Sequence, residues 1–301
     1  MKPTSSRSTT IPAATAVLAA LTAVLFAACS GPDPAEPDAT AVARFRPWPL
    51  GNLGVYTAQV AFDRAGQWGM DISVDETRLA SSSSPESPAL SATVISTDLG
   101  VGTNRLAFAI QDRASNTTVR FPGAVVSLYG PGSGADDVTT TIQVKEKSST
   151  PAVGSPAPAS VNKTGRDVET LDHLTTAPVP DPDLYRMTIR EALASGMPLV
   201  VSFATPGYCQ TATCGPQVEV LSEVRDRYRG RANFIHVEVF DNPHEIQGDL
   251  GRARAVPSVD EWGLPTEPWT FVVDGGGAVS AKFEAFATAE EIEEGLAAVL
   301  Q

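Results

Sequence analysis

The sequence predicts a multidomain protein, an all-β sandwich over residues 43–147 followed by an α/β domain with a mixed sheet over residues 184–301. Three observations carry this prediction. Between 43 and 147, short runs of alternating apolar and polar residues recur at sandwich-strand spacing, broken by turn residues. Beyond 184, continuous apolar runs alternate with segments of helical period. Between the two lies a stretch, 148–183, with six prolines and little periodicity, which reads as a Pro-rich linker partly wrapped on the following domain.

The chain has 301 residues, 35 acidic against 22 basic, for a net charge of -13. Nucleic acid and anionic lipid surfaces both require clustered basic side chains, so this balance argues against either as a partner of the body of the chain. The first 28 residues contain no acid. Lys2 and Arg7 precede an apolar run over 13–28 that only Thr15 and Thr22 interrupt, the pattern of a secretion signal too short for a comfortable membrane span. The run ends Leu25-Phe26-Ala27-Ala28-Cys29. It resembles the lipobox of bacterial lipoproteins, with Phe26 in place of the usual leucine. The resemblance implies removal of residues 1–28 as a signal peptide and lipidation of the Cys29 thiol. The alternative is cleavage at a nearby A-x-A-like site with Cys29 left free. Residues 29–42, with Pro32, Pro34, Pro37 and three acids, read as a solvated tether. The expected location is therefore extracytoplasmic, lipid-anchored to the cell membrane.

In the first domain, residues 55–62 alternate with period two, and 68–74, 92–97, 105–110, 117–128 and 139–144 read the same way. Residues 63–66 form a plausible hairpin turn, and 81–88 a polar loop. Two phrases, Gly54-Val55-Tyr56 followed by Phe62, Gly66 and Trp68-Gly69, and Val101-Gly102-Thr103-Asn104-Arg105-Leu106, resemble the immunoglobulin-like domains of FixH- and YtkA-type bacterial lipoproteins. In those domains the second phrase comes first. The resemblance implies an immunoglobulin-like sandwich. The segment holds no cluster of His, Cys or Met, so it reads as a binding or spacer domain rather than a metal site.

In the second domain, Thr188-Ile189-Arg190-Glu191 is a capping box and Gly196 a helix stop. Residues 198–203 are a continuous apolar strand of the kind buried on both faces. A helix follows over 216–228, with Pro216 at its first position and Val218, Leu221, Val224 and Tyr228 on one face. The next strand is 233–240. Residues 270–273 and 278–283 flank Asp274-Gly275-Gly276-Gly277 as a hairpin, and Thr288-Ala289-Glu290-Glu291 caps a last amphipathic helix. The order β-α-β-α-β-β-α is that of a thioredoxin fold. Val200 to Pro206 leading to Cys209, Cys214-Gly215-Pro216 opening the helix, and Trp262-Gly263-Leu264-Pro265-Thr266-Glu267-Pro268-Trp269 running on to Asp274 resemble the thioredoxin-like lipoproteins of the TlpA type. Pro268 stands six residues before Asp274, which in that family marks the cis-proline and favours Pro268 over Pro265. Glu267 and Pro268 would then shape the partner groove, with Glu267 disfavouring acidic partners.

The chemistry rests on Cys209 and Cys214, a C-x4-C pair where thioredoxins carry C-x-x-C. On a helix, residues three apart have Cα atoms about 5 Å apart, within disulfide range, whereas residues five apart lie roughly 8.6 Å apart, beyond it. Cys209 must therefore leave the helix in a loop, near the N-terminus whose dipole favours a thiolate. The resemblance implies that Cys209 attacks and Cys214 resolves, in thiol-disulfide exchange with extracytoplasmic proteins and with no cofactor. An inert structural bridge is the bland alternative. The buried acid of thioredoxins is replaced by Ser202; His236 and Glu238, two apart on one strand face, are the possible proton-transfer groups.

Two other readings stay open. Sco-type copper carriers share the fold and add a distant histidine to a cysteine pair, which would make Cys209, Cys214 and His236, or less simply His244, ligands for Cu(I). Thr205-Pro206-Gly207-Tyr208-Cys209 with its C-x4-C spacing also resembles the Q-type peroxiredoxins. There Tyr208 is an insertion, and the activating arginine falls at Pro268, leaving peroxide without a clamp.

Overall fold

The computed structural model describes residues 35–48, 54–79, 90–115, 117–134, 138–209 and 213–300. The lipobox-like stretch with Cys29, and residues 210–212 between the paired cysteines, lie outside the described residues.

Ten strands come first: β1 (Ala39–Pro47), β2 (Gly54–Phe62), β3 (Gly66–Val74), β4 (Thr77–Arg78), β5 (Leu90–Val94), β6 (Leu99–Gly100), β7 (Gly102–Asp112), β8 (Thr117–Thr118), β9 (Gly123–Tyr129) and β10 (Thr140–Lys145). They form one hydrogen-bonded sheet in the order β5-β7-β2-β1-β9-β3-β10-β6, with β4 on β3 and β8 on β7. The two separate sheets expected of a sandwich are joined by β1, which pairs antiparallel with β2 on one side and β9 on the other. The sheet is mixed, because β6 runs parallel to β10. Tyr56 and Phe108 from one end share a buried cluster with Trp68, Ile72 and Ile142 from the other. A flat sheet of this order keeps those residues apart, so the sheet curls to enclose its own core.

β1 begins at Ala39, inside the segment that composition assigned to a tether. Ala43 is its only fully buried residue, so the strand shows little apolar alternation to be read. The expected strand over 117–128 is split into β8 and β9, with Pro122 at the break, where a missing N–H interrupts the ladder.

The rest of the chain adds α1 (Ile189–Ala194), β11 (Leu199–Ala204), α2 (Cys214–Arg227), β12 (Asn233–Glu238), α3 (Pro257–Glu261), β13 (Trp269–Val273), β14 (Val279–Glu284) and α4 (Ala289–Val299). Its sheet has the order β12-β11-β13-β14, with β11 parallel to β12 and the other pairs antiparallel. A βαβ unit joined to a β-hairpin and closing helix is a thioredoxin-like fold. Every residue of β11 is buried. Val200 and Ala204 pack with α2 and α4 on one face, while Leu199, Val201 and Phe203 meet Trp262, Trp269 and Phe271 on the other. Both capping boxes form, at Thr188 with Glu191 and at Thr288 with Glu291. Among the described residues no helix is long and apolar enough to cross a membrane.

Residues 148–183 are not a free linker. Gly154 N donates to Val279 O (2.7 Å) and Val279 N to Ser155 O (2.9 Å), so the segment lies along the end of β14. Its hydroxyls bury with partners: Ser148 and Thr150 both donate to the carboxylate of Asp98, just before β6. Those bonds, with Lys145, hold Asp98 below the usual carboxylate range although burial alone would raise it. Ser and Thr side chains satisfy a packed irregular backbone, which is why a Pro-rich stretch can be ordered without periodicity.

The curled sheet is fastened to the thioredoxin-like part through Arg105 on β7. Its guanidinium binds Glu291 twice (2.8 and 3.1 Å) and donates to the carbonyls of Glu284 (2.9 Å) and Phe286 (3.0 Å). Thr97 N donates to the Glu284 carboxylate at 2.7 Å. Glu284 lies opposite Trp269, the residue after Pro268, so these contacts bear on the strand that follows the expected groove.

Candidate functional site around Cys209 and Cys214

β11 ends at Ala204, and the chain turns through 205–208 to reach Cys209 before entering α2 at Cys214. The helix thus starts two residues before Pro216, which is tolerated in a first turn where its missing N–H has no intrahelical partner. Cys209 lies outside the helix, half-buried; Cys214 is fully buried, and neither is in a disulfide. Their side chains hydrogen-bond to each other. That bond, followed by burial and the nearby charge of Glu267, pushes the Cys214 thiol far above its ordinary range, while a backbone hydrogen bond from Thr205 acts the other way. Of the two, Cys209 is the accessible sulfur.

The Glu267–Pro268 peptide is cis, at the proline favoured over Pro265. Glu267 is half-buried, and burial together with the charge of Cys209 raises its carboxyl pKa. Cys209, Cys214, Glu267 and Pro268 are thus neighbours at one end of the sheet. Ser202, which stands where thioredoxins carry an acid, is buried and shares a hydrogen bond of 3.0 Å with Thr270.

Glu238 is a buried carboxyl on the neighbouring strand β12. Parallel pairing sets it opposite Ala204, beside Thr205. It is 4% exposed, and burial pushes its pKa up to about 7. Oε2 accepts from Thr176 N and Thr176 Oγ1, both at 2.8 Å. The Thr205 hydroxyl favours its ionised form, yet neither Thr205 Oγ1 nor Glu238 Oε1 makes a well-formed hydrogen bond. Thr205 therefore touches both ends of a short path, its backbone at the Cys214 sulfur and its side chain at the Glu238 carboxyl.

His236, two residues earlier on the same strand, is held differently. It is 1% exposed, and its Nδ1 pairs with Tyr185 Oη at 2.7 Å and its Nε2 with Ala204 O at 3.1 Å. Burial lowers its pKa to about 4, so it is neutral and a weak base at physiological pH. Both ring nitrogens are engaged, so binding a metal together with Cys209 and Cys214 would require breaking the hydrogen bond to Tyr185. Among the described residues no group of three or more His, Cys, Asp or Glu side chains is placed to hold a metal ion. His173 and His244, read as linker and loop residues, stack on each other with ring centroids 3.9 Å apart.

Sequence reasoning missed Thr176. Its hydroxyl accepts from Gly207 N (2.7 Å) while donating to Glu238, tying the turn before Cys209 to the carboxyl. No local signal marks it, since its partner is 62 positions away.

Neither a family model nor a curated protein matches this chain. Among solved structures, it is similar to a thiol:disulfide interchange protein of the thioredoxin family from Chlorobium tepidum TLS, at 17% identity over 42% of this chain and 97% of that one, with a TM-score of 0.32. It is also similar to a putative thiol:disulfide interchange protein DsbE from Chlorobium tepidum (16%; 35% and 82%; 0.29) and to MTB dsbF (19%; 38% and 87%; 0.30). At such scores these likenesses add nothing to the topology described above, on which the fold assignment rests.

Proposed function

We propose that the chain is an extracytoplasmic thiol-disulfide oxidoreductase, held to the membrane by lipid on Cys29 and acting through Cys209 and Cys214. The observation that carries this reading is the unequal pair: a half-buried sulfur hydrogen-bonded to a buried thiol at the start of a helix, with Thr205 between that thiol and a carboxyl of raised pKa. An inert bridge needs no such inequality and no proton acceptor.

In the reducing direction the Cys209 thiolate attacks a partner disulfide. One partner sulfur leaves as a thiolate and takes up a proton, and Cys209 is left in a mixed disulfide. Cys214 then gives its proton towards Glu238 and attacks the Cys209 sulfur. The second partner thiolate leaves, two electrons have passed to the partner, and the enzyme holds a Cys209–Cys214 disulfide. Oxidation of a partner is the same sequence reversed. Glu267 beside the cysteines selects against acidic segments in the incoming chain.

The reading is tested by equilibrating the pair in thiol-disulfide buffers and following exchange with a small disulfide reagent. A midpoint potential well above about -300 mV, with exchange lost in Cys209→Ser, supports it. A potential below about -300 mV would mark a structural bridge instead. Rapid peroxide turnover dependent on Cys209 would favour a peroxidase.

A further inference from the structure

A cleft of about 600 Å³ lies between the curled sheet and the last hairpin and helix of the thioredoxin-like part. Residues of β1, β2 and β7 form one wall, and residues of β14 and α4 the other. Four cations, Arg44, Arg46, Arg105 and Lys282, face it against two carboxylates, Glu291 and Glu294. In a chain of net charge -13 this is a local reversal of sign. Val42 and Val153, both exposed, add apolar surface beside the charges. A cleft of this size suits a small molecule.

Two of the four cations are already engaged. Arg105 is held by Glu291 and by the carbonyls of Glu284 and Phe286. Lys282 Nζ donates to Ser148 Oγ (2.6 Å) and Thr150 Oγ1 (2.9 Å). Arg44 and Arg46 differ. They stand two apart on β1, hence on one face and about 6.6 Å apart along the strand. Among the described residues the Arg44 guanidinium has no carboxylate partner. The Arg46 side chain is 18% exposed and meets Glu291 at 3.8 Å and Glu294 at 3.6 Å. Those separations are too long for hydrogen bonds, and its buried Nε makes none among the described residues. Both forks therefore keep donors for an anion.

We propose that this cleft binds a small organic phosphate monoester, its head on the Arg44 and Arg46 forks and its apolar body against Val42 and Val153. A phosphate presents three terminal oxygens and up to two negative charges, so both forks can grip it at once, whereas one carboxylate edge is filled by a single fork. Glu294, 64% exposed, lies beside Arg46 and is the group such an anion displaces towards solvent. The walls come from both parts of the chain, so an occupied cleft stabilises the junction between them. No bond is made or broken in this step, and the site does not depend on the cysteine pair.

The test is calorimetric titration of the full chain with phenyl phosphate at fixed ionic strength, with inorganic phosphate, benzoate and phenol as separate arms. Phenyl phosphate should bind at a single saturable site, inorganic phosphate and benzoate more weakly, and phenol not at all. Arg44→Gln, at an exposed position, should weaken phenyl phosphate about tenfold or more, the loss expected for one charged hydrogen-bonding group. Arg46→Gln should act in the same direction, and Glu294→Gln should tighten binding severalfold by removing the competing carboxylate. Absence of saturable binding up to about 10 mM, or an affinity unchanged in Arg44→Gln, would overturn the proposal. Benzoate binding more tightly than phenyl phosphate would overturn the ligand class. Arg44, whose side chain supports no packing contact, keeps the test decisive if Arg46→Gln fails to fold. The titration uses no thiol chemistry, so failure of this site and failure of the oxidoreductase reading give different results.

Discussion

Replacing Glu238 with glutamine removes a carboxyl whose burial raises its pKa from 4.5 to about 7. The folded state binds this proton more tightly than the unfolded chain. The carboxyl's contribution to stability is therefore fully present below about pH 4.5 and is lost as the pH rises through about 7. A displacement of that size corresponds to roughly 3 kcal/mol, a magnitude appropriate to a group that solvent barely reaches. His236 acts in the opposite sense: its pKa falls from 6.5 to about 4, so its contribution is present above 6.5 and lost as the pH falls through about 4. Comparing parent and Glu238→Gln at each pH cancels the histidine, which both proteins contain. The assay is urea unfolding of the reduced proteins across this range. The variant should gain about 3 kcal/mol relative to the parent between about pH 4 and about pH 9. A stability difference that stays constant with pH would refute the assignment of a buried, high-pKa carboxyl at this position.

Three further outcomes follow from the same contacts. Thr176→Val deletes the hydroxyl that donates to Glu238 and accepts from Gly207; a bond to a charged group is worth about 1.5–3 kcal/mol, so the carboxyl midpoint, read by carbon-13 NMR, should rise by about one pH unit or more. Cys214→Ser should trap Cys209 in a stable mixed disulfide with a disulfide substrate, visible as an added mass that dithiothreitol removes; rapid release of the substrate would contradict the assigned order of attack. Arg105→Ala leaves the buried Glu291 with only the longer contact to Arg46 as a cationic partner and should cost about 3 kcal/mol in denaturant unfolding, and Arg105→Lys should recover little of it because the bidentate fork is lost.

Much of the thioredoxin-like part was legible because its signals are local. The apolar run of β11, the two Thr-x-x-Glu caps and the Asp-Gly-Gly-Gly hairpin each depend on residues within a few positions of one another. The departures come from contacts made over long separations. β1 was missed because one face mixes exposed Thr40, Val42 and Arg44 while the other offers mainly alanines, and Arg46 finds its acids on α4. Glu291 was read as a helix cap, which it is, but the same carboxylate also receives Arg105 from 186 positions earlier. A spacing rule sees the first role and is blind to the second. In the site, the cysteines and Glu267-Pro268 were legible as motifs, and Glu238 as one of two strand neighbours. That the imidazole is already spoken for at both nitrogens, by Tyr185 and Ala204, could not be read from the spacing.

Thr176 belongs by sequence to the stretch that joins the two sheets, yet it holds both the turn before Cys209 and the carboxyl behind Cys214. A C-terminal fragment cut at residue 184 would keep both cysteines and the cis-proline but lose two of the donors that stabilise the Glu238 anion. Such a fragment would be a differently tuned reagent, with its proton acceptor weighted further towards the neutral acid. On the proposed reading, the redox behaviour of the cysteine pair is a property of the connected chain, and transplanting the cysteine-bearing portion alone onto another carrier would not transfer it.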